Sequence, residues 1–141
     1  MVKKIIIKYD NNGNESYVKY SNGFEEWYDY DDKGNLIHTK DSTGHETWKD
    51  YDDKGNKIHA KESDGYEEWY DYDENRNKIH TKASDGFESW YDENGNLIHT
   101  KASDGFESWY DENGRCIHTK NPNGFEAWYD EDGNMINYKG N

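Results

Sequence analysis

The chain has 141 residues, about one domain's worth, and carries 17 Lys and Arg against 31 Asp and Glu, a net charge of -14. That balance argues against direct binding to DNA, RNA or an anionic membrane, which needs clustered cations, and favours a basic protein surface as complement. Mean hydropathy is -1.49 and charged residues reach 34%, values typical of disorder, yet aromatics make up 16% of the chain and recur with a strict period, which implies stacked structure.

In chain order, Met1-Val2-Lys3-Lys4-Ile5-Ile6-Ile7 briefly imitates a leader, but Lys8 breaks its apolar run. No stretch approaches a membrane span, and a cytoplasmic location is the default expectation. Residues 1–20 align as a degenerate first unit, a cap, with Ile7 to Gly13 standing for a strand and its turn. Six units follow, at 21–41, 42–62, 63–83, 84–102, 103–121 and 122–140, and the whole of 1–141 reads as a single repeat domain.

Trp27, Trp48, Trp69, Trp90, Trp109 and Trp128 mark the units at spacings of 21, 21, 21, 19 and 19. His38, His59, His80, His99 and His118, with Asn137 in the last unit, mark a second slot. The distance from His to the next Trp is always 10, so the length variation lies in the segment between Trp and His. Losing two residues there is expected to remove one from each arm of a hairpin and to leave the strand faces as they were.

Twelve glycines fall in two alternating turn positions, preceded by Asn, Asp, Lys or Thr. Asn-Gly and Asp-Gly suggest two-residue turns with positive φ at both central residues. Arg76 replaces the glycine in one turn, where a strained or wider loop is expected. The lone Pro122 sits beside a turn. Between the turns lie an aromatic strand (Phe87 to Tyr91) and a second strand (Leu97 to Lys101). Alternation places Phe87, Ser89 and Tyr91 on one face, with Glu88 and Trp90 on the other. The expected fold is therefore all-β, a tandem β-hairpin repeat array, either a single elongated antiparallel sheet or a β-solenoid.

Trp27-Tyr28-Asp29-Tyr30-Asp31-Asp32-Lys33-Gly34-Asn35-Leu36-Ile37-His38 resembles the YD repeats of bacterial Rhs-type proteins, over about residues 7–139. The resemblance implies a β-rich scaffold without catalysis of its own. MORN-like repeats, which also use short aromatic hairpins and include binding platforms, are similar. Choline- and glucan-binding repeats share the Trp-Tyr strand and Asp-Gly turn of Trp128 to Gly133, but carry a further Gly-Trp pair that this chain lacks.

The histidines read as one duplicated packing slot in preference to a metal ladder or pH switch. Asp50 to Gly55 reads as turn chemistry, since it lacks the full calcium-loop pattern. Cys116 takes a slot filled elsewhere by Leu or Met, and as the single cysteine it excludes an internal disulfide framework. The same carboxylates recur in every unit, whereas an active site is one asymmetric constellation, so no enzyme, metal or cofactor is expected.

The expected partner surface is a repeating row of carboxylates and rings: Glu25, Trp27 and Asp29, then Glu46 and Trp48, Glu67 and Trp69, Glu88 and Trp90, Glu107 and Trp109, and Glu126 and Trp128. The expected function is a non-enzymatic acidic module that binds a protein with a basic surface. One version is a small intracellular inhibitor, such as a phage-encoded anti-defence protein, that occupies a nucleic-acid-binding surface of its target. A cell-wall glycan-binding aromatic repeat is the alternative.

Overall fold

The computed structural model describes residues 1–140; Asn141 lies outside the described residues. Among the described residues, fourteen antiparallel strands form one open sheet whose strand order follows the chain, so the architecture is a sheet and not a solenoid. Two compact units divide it, Met1–Glu67 and Glu68–Asn141. The first holds β1 (Lys4–Tyr9), β2 (Glu15–Tyr20), β3 (Glu25–Tyr30), β4 (Leu36–Asp41), β5 (Glu46–Tyr51) and β6 (Lys57–Glu62). The second holds β7 (Glu67–Tyr72, whose first residue belongs to the first unit), β8 (Lys78–Ala83), β9 (Glu88–Tyr91), β10 (Leu97–Lys101), β11 (Glu107–Tyr110), β12 (Cys116–Lys120), β13 (Glu126–Tyr129) and β14 (Met135–Lys139).

The turns differ from the two-residue type expected. Each has one positive-φ residue, not two, and it is the glycine in every turn except the one that holds Arg76. In Asp92-Glu93-Asn94-Gly95-Asn96 the Gly95 N–H donates to the Asp92 carbonyl and the Asp92 N–H donates to the Asn96 carbonyl. That is the three-residue loop in which a type I turn is closed by a left-handed residue. The Asp92 carboxylate locks it, accepting from the N–H groups of Asn94 (2.9 Å) and Asn96 (2.8 Å) and from the Asn96 side chain (3.0 Å). Asp10, Asp31, Asp52 and Asp73 repeat this arrangement in their own turns.

Arg76 keeps the same loop width, donating its N–H to the Asp73 carbonyl at 3.1 Å, and adopts φ 70° to do so. The turn is strained but not wider. A side chain in that region costs roughly 1 kcal/mol. Arg76→Gly is therefore expected to stabilise the second unit by about 1 kcal/mol, read as a raised urea midpoint.

A one-residue bulge follows each of these turns. Asp29 faces His38 and Tyr30 faces Leu36, leaving Ile37 as the extra residue; Trp109 faces His118 and Tyr110 faces Cys116, leaving Ile117. Such bulges sharpen local twist. The two-residue deletion also falls differently from expectation. The second arm is unchanged (Asn35-Leu36-Ile37-His38 and Asn96-Leu97-Ile98-His99), so both residues are lost from the first arm. In long hairpins His38 faces Asp29, and Trp27 faces Lys40. In short ones Trp takes the Asp position: Trp90 faces His99, and Trp109 faces His118. A slip of two keeps the faces but changes every partner.

The better-covered face carries small residues and tyrosines. Val18 is fully buried, Ala127 is 1% exposed, and Ala83, Ser89 and Ser108 are also buried. Phenols tie this face together: Tyr20 and Tyr28 both donate to the Glu26 carboxylate, at 2.6 and 2.7 Å, and Tyr51 donates to the Leu36 carbonyl at 2.9 Å. Burial, reinforced by Glu26, pushes the Tyr28 phenol well above its ordinary range, so it remains a donor.

Candidate functional site: the tryptophan–histidine face and the acidic turns

Every residue of the expected partner surface lies on a strand, with Glu25, Trp27 and Asp29 alternating onto a common face. The glutamates there are engaged within the sheet. Glu25 meets Lys19 at 2.7 Å. Glu46 meets Lys40 at 2.7 Å and His38 at 3.1 Å, and Glu67 meets Lys61 at 3.2 Å and His59 at 3.0 Å. Glu88, Glu107 and Glu126 accept from His80, His99 and His118 at 3.1, 3.0 and 3.2 Å. Asp29, with a side chain 70% exposed, binds His38 Nδ1 at 2.9 Å. The row presents hydrogen-bonded carboxylates in place of bare ones.

The rings behave differently in long and short hairpins. His38 stacks on Trp48 with centroids 5.3 Å apart, and Tyr17 tilts against Trp27 at 5.5 Å. Trp27, Trp48 and Trp69 remain 37–41% exposed. Within the second unit the stack is continuous from His80 through Trp90, His99, Trp109 and His118 to Trp128, at centroid distances of 4.4–4.8 Å. Trp90 and Trp109 thus have a histidine on each side, and all three tryptophans of the short units are half-buried. The histidine slot is occupied by packing and ion pairs. Among the described residues no group of three or more His, Cys, Asp or Glu is arranged to hold a metal ion.

The charge missing from the face resides in the turns. The segments 10–14, 31–35, 52–56, 73–77, 92–96, 111–115 and 130–134 hold fourteen carboxylates against Lys33, Lys54, Arg76 and Arg115. The alternate turns 20–24, 41–45, 62–66, 83–87, 102–106 and 121–125 add five carboxylates and no Lys or Arg. Outside the turns, twelve carboxylates face thirteen cations. The strands are thus close to neutral, and the turns carry the whole net charge. Sequence reading missed this division because the charges have to be counted separately for turns and strands, which needs the strand ends to be known.

These groups set the pH response. Hydrogen bonds from Asn14, Asn35, Asn56, Asn96 and Asn134, and from Arg115, hold the carboxyls of Asp10, Asp31, Asp52, Asp92, Asp130 and Asp111 below their usual range. Their contribution is present above the unfolded value, about 3.9, and is lost as pH falls further. For His59 partial burial opposes the charge, but the bonds to Asp50 and Glu67 outweigh it and raise the pKa. Its contribution is complete below about 6.5 and fades as pH rises through the folded value. Thermal unfolding scans from pH 3 to 9 are expected to peak between about 5 and 6. His59→Asn should flatten the alkaline limb and leave the acid limb in place.

No protein-family model and no curated protein matches the chain. Among solved structures, two of TcdB2-TccC3 are similar at 17% identity, one with TM-score 0.59 over 95% of this chain and one with 0.57 over 94%, each over 9% of the other chain. A Tc holotoxin pore of Photorhabdus luminescens is similar at 13% identity and TM-score 0.55, over 96% of this chain and 11% of that chain. These neighbours are Rhs-type YD-repeat toxin chains built on a tandem antiparallel hairpin sheet. The likeness is one of fold, and the chain spans about a tenth of their length.

Proposed function

We propose that the chain is a non-enzymatic repeat module that binds a protein through a basic surface on that partner. The observation that carries this reading is the division of charge: a near-neutral sheet bordered by turns that hold nineteen of the 31 carboxylates and only four of the 17 cations. In the second unit the four turns that begin at Asp73, Asp92, Asp111 and Asp130 place nine carboxylates against Arg76 and Arg115. Successive turns of this kind stand two strands apart, about 10 Å. The turn backbones are fixed by the Asp–Asn bonds, so the charges are held in place before a partner arrives, which lowers the ordering cost of association. MORN-like platforms and YD-repeat scaffolds imply the same class of role. A basic groove that otherwise holds nucleic acid has the complementary sign, and an inhibitor of such a protein is the sharper form of the proposal.

The glycan-binding alternative draws less support from the geometry. Sugars stack on open ring faces, and Trp90 and Trp109 have histidines stacked on both sides. The test is a pull-down from bacterial lysate with the intact protein at low and moderate salt. A stoichiometric basic protein that elutes as salt rises, and that nucleic acid displaces, supports the proposal. Salt-insensitive retention on cell-wall material, with no protein bound, overturns it.

A further inference from the structure

The five histidines share one slot of the repeat but not one environment. In the long hairpins the ring is bonded on both sides. His38 meets Asp29 of β3 through Nδ1 at 2.9 Å and Glu46 of β5 through Nε2 at 3.1 Å. His59 does the same with Asp50 of β5 (2.8 Å) and Glu67 of β7 (3.0 Å), and His80 with Asp71 of β7 (2.9 Å) and Glu88 of β9 (3.1 Å). In the short hairpins Trp90 and Trp109 take the aspartate position and face His99 and His118. Among the described residues, each of these two rings meets a carboxylate through Nε2 only, Glu107 at 3.0 Å and Glu126 at 3.2 Å.

A carboxylate only accepts, and a neutral imidazole carries a single N–H. A ring with a carboxylate against each nitrogen therefore satisfies both only as an imidazolium. A single bond is met by the neutral Nε2–H tautomer. The nearby lysines do not explain the difference. Lys40, Lys61 and Lys82 reach Glu46, Glu67 and Glu88. In the short series Lys101 faces Glu88 and Glu107, and Lys120 faces Glu107 and Glu126. What changes beside the ring itself is the aspartate. For His59 partial burial opposes the charge, yet the two bonds prevail and raise its pKa.

We propose that hairpin length sets the charge of the histidine: His38, His59 and His80 are imidazolium clamps that each tie three strands together, and His99 and His118 are neutral spacers between indoles. The result is a pH-sensitive device confined to the long hairpins. As pH rises, each clamp loses a proton and with it one of its two bonds. The glutamate is also held by a lysine and its side chain is only 22–25% exposed, so the bond released is the one to the aspartate. Asp29, Asp50 and Asp71, with side chains 69–71% exposed, then become unpaired carboxylates on the tryptophan face. Rising pH thus adds negative charge to that face in the long hairpins and leaves the short-hairpin stack as it was. This is independent of the basic-partner reading, because it uses the strand face instead of the acidic turns.

The test is nuclear magnetic resonance of the full chain with 15N-labelled histidine at pH 6.5, about the ordinary histidine midpoint. Single His→Gln variants assign the rings. His38, His59 and His80 are expected to show protons on both nitrogens, and His99 and His118 on Nε2 alone. Asp50→Asn is expected to return His59 to the one-proton pattern without moving His99 or His118. The aspartate side chain is exposed, so this variant keeps the fold, which the unchanged amide spectrum of β9–β13 checks. Five rings in the same state at pH 6.5, whether charged or neutral, would overturn the proposal. So would a His59 ring that keeps both protons in Asp50→Asn.

Discussion

Trp109→Ala is expected to destabilise the second unit by about 2–3 kcal/mol, more than the same truncation at Trp27. Truncating a buried tryptophan costs about 3–5 kcal/mol, and Trp109 is half-buried, so the lower part of that scale applies. It also loses two stacked neighbours, His99 at 4.5 Å and His118 at 4.4 Å, each aromatic pair adding about 0.5–1 kcal/mol. Trp27 is 37% exposed and its ring contact is a tilted one with Tyr17, so Trp27→Ala is expected to cost only about 1 kcal/mol. Urea unfolding followed by circular dichroism gives the ranking. Equal costs at the two positions would mean that the stack adds nothing beyond burial.

Val18→Asp is expected to cost about 4 kcal/mol. Val18 is fully buried between Ile7 on β1 and Glu26 on β3, and Glu26 is already committed to the phenols of Tyr20 and Tyr28. A carboxylate placed there has no cation opposite it and sits against another carboxylate. Val18→Ala removes only packing and is expected to cost roughly 2 kcal/mol. Hydrogen exchange should show lost protection in β1–β3 for the aspartate variant, with β9–β13 keeping theirs, since stability in repeat arrays is largely a nearest-neighbour property.

Much of the fold was legible because its signals are local. The Trp and His periods, the glycines and the strand alternation gave the hairpins, their faces and their order. The exchange of Trp for Asp opposite His was not legible, since removing one residue from each arm and removing two from one arm both preserve the faces. The bulge at Ile37 and its equivalents was hidden for a similar reason: a single unpaired residue leaves no mark in a sequence of length-matched repeats. The turn type was misread because Asn-Gly and Asp-Gly serve both the two-residue loop and the longer loop with one left-handed residue. At the candidate site the row of glutamates was found, but their pairing with Lys19, Lys40, His38 and the equivalent residues depends on cross-strand register. The acidity of the turns was open to counting, once strands and turns could be separated.

The two hairpin lengths have a consequence for curvature. In the first unit, straight across the strands, Asp29 leads to His38, Trp48 and Lys61, where Trp48 and Lys61 are the equivalents of Trp27 and Lys40, so equivalent residues climb by two positions with every long hairpin. In the second unit, from His80 to Trp128, equivalent residues stay level across the short hairpins. A steady climb is shear, the quantity a sheet must accumulate before it can close on itself as a barrel or shell. Long hairpins accumulate it and short ones do not. An Asp-Tyr pair in the first arm therefore acts as a length-coded instruction for how far a strip of repeats leans, and a protein of this design can be bent or straightened by a six-nucleotide insertion or deletion without touching its core.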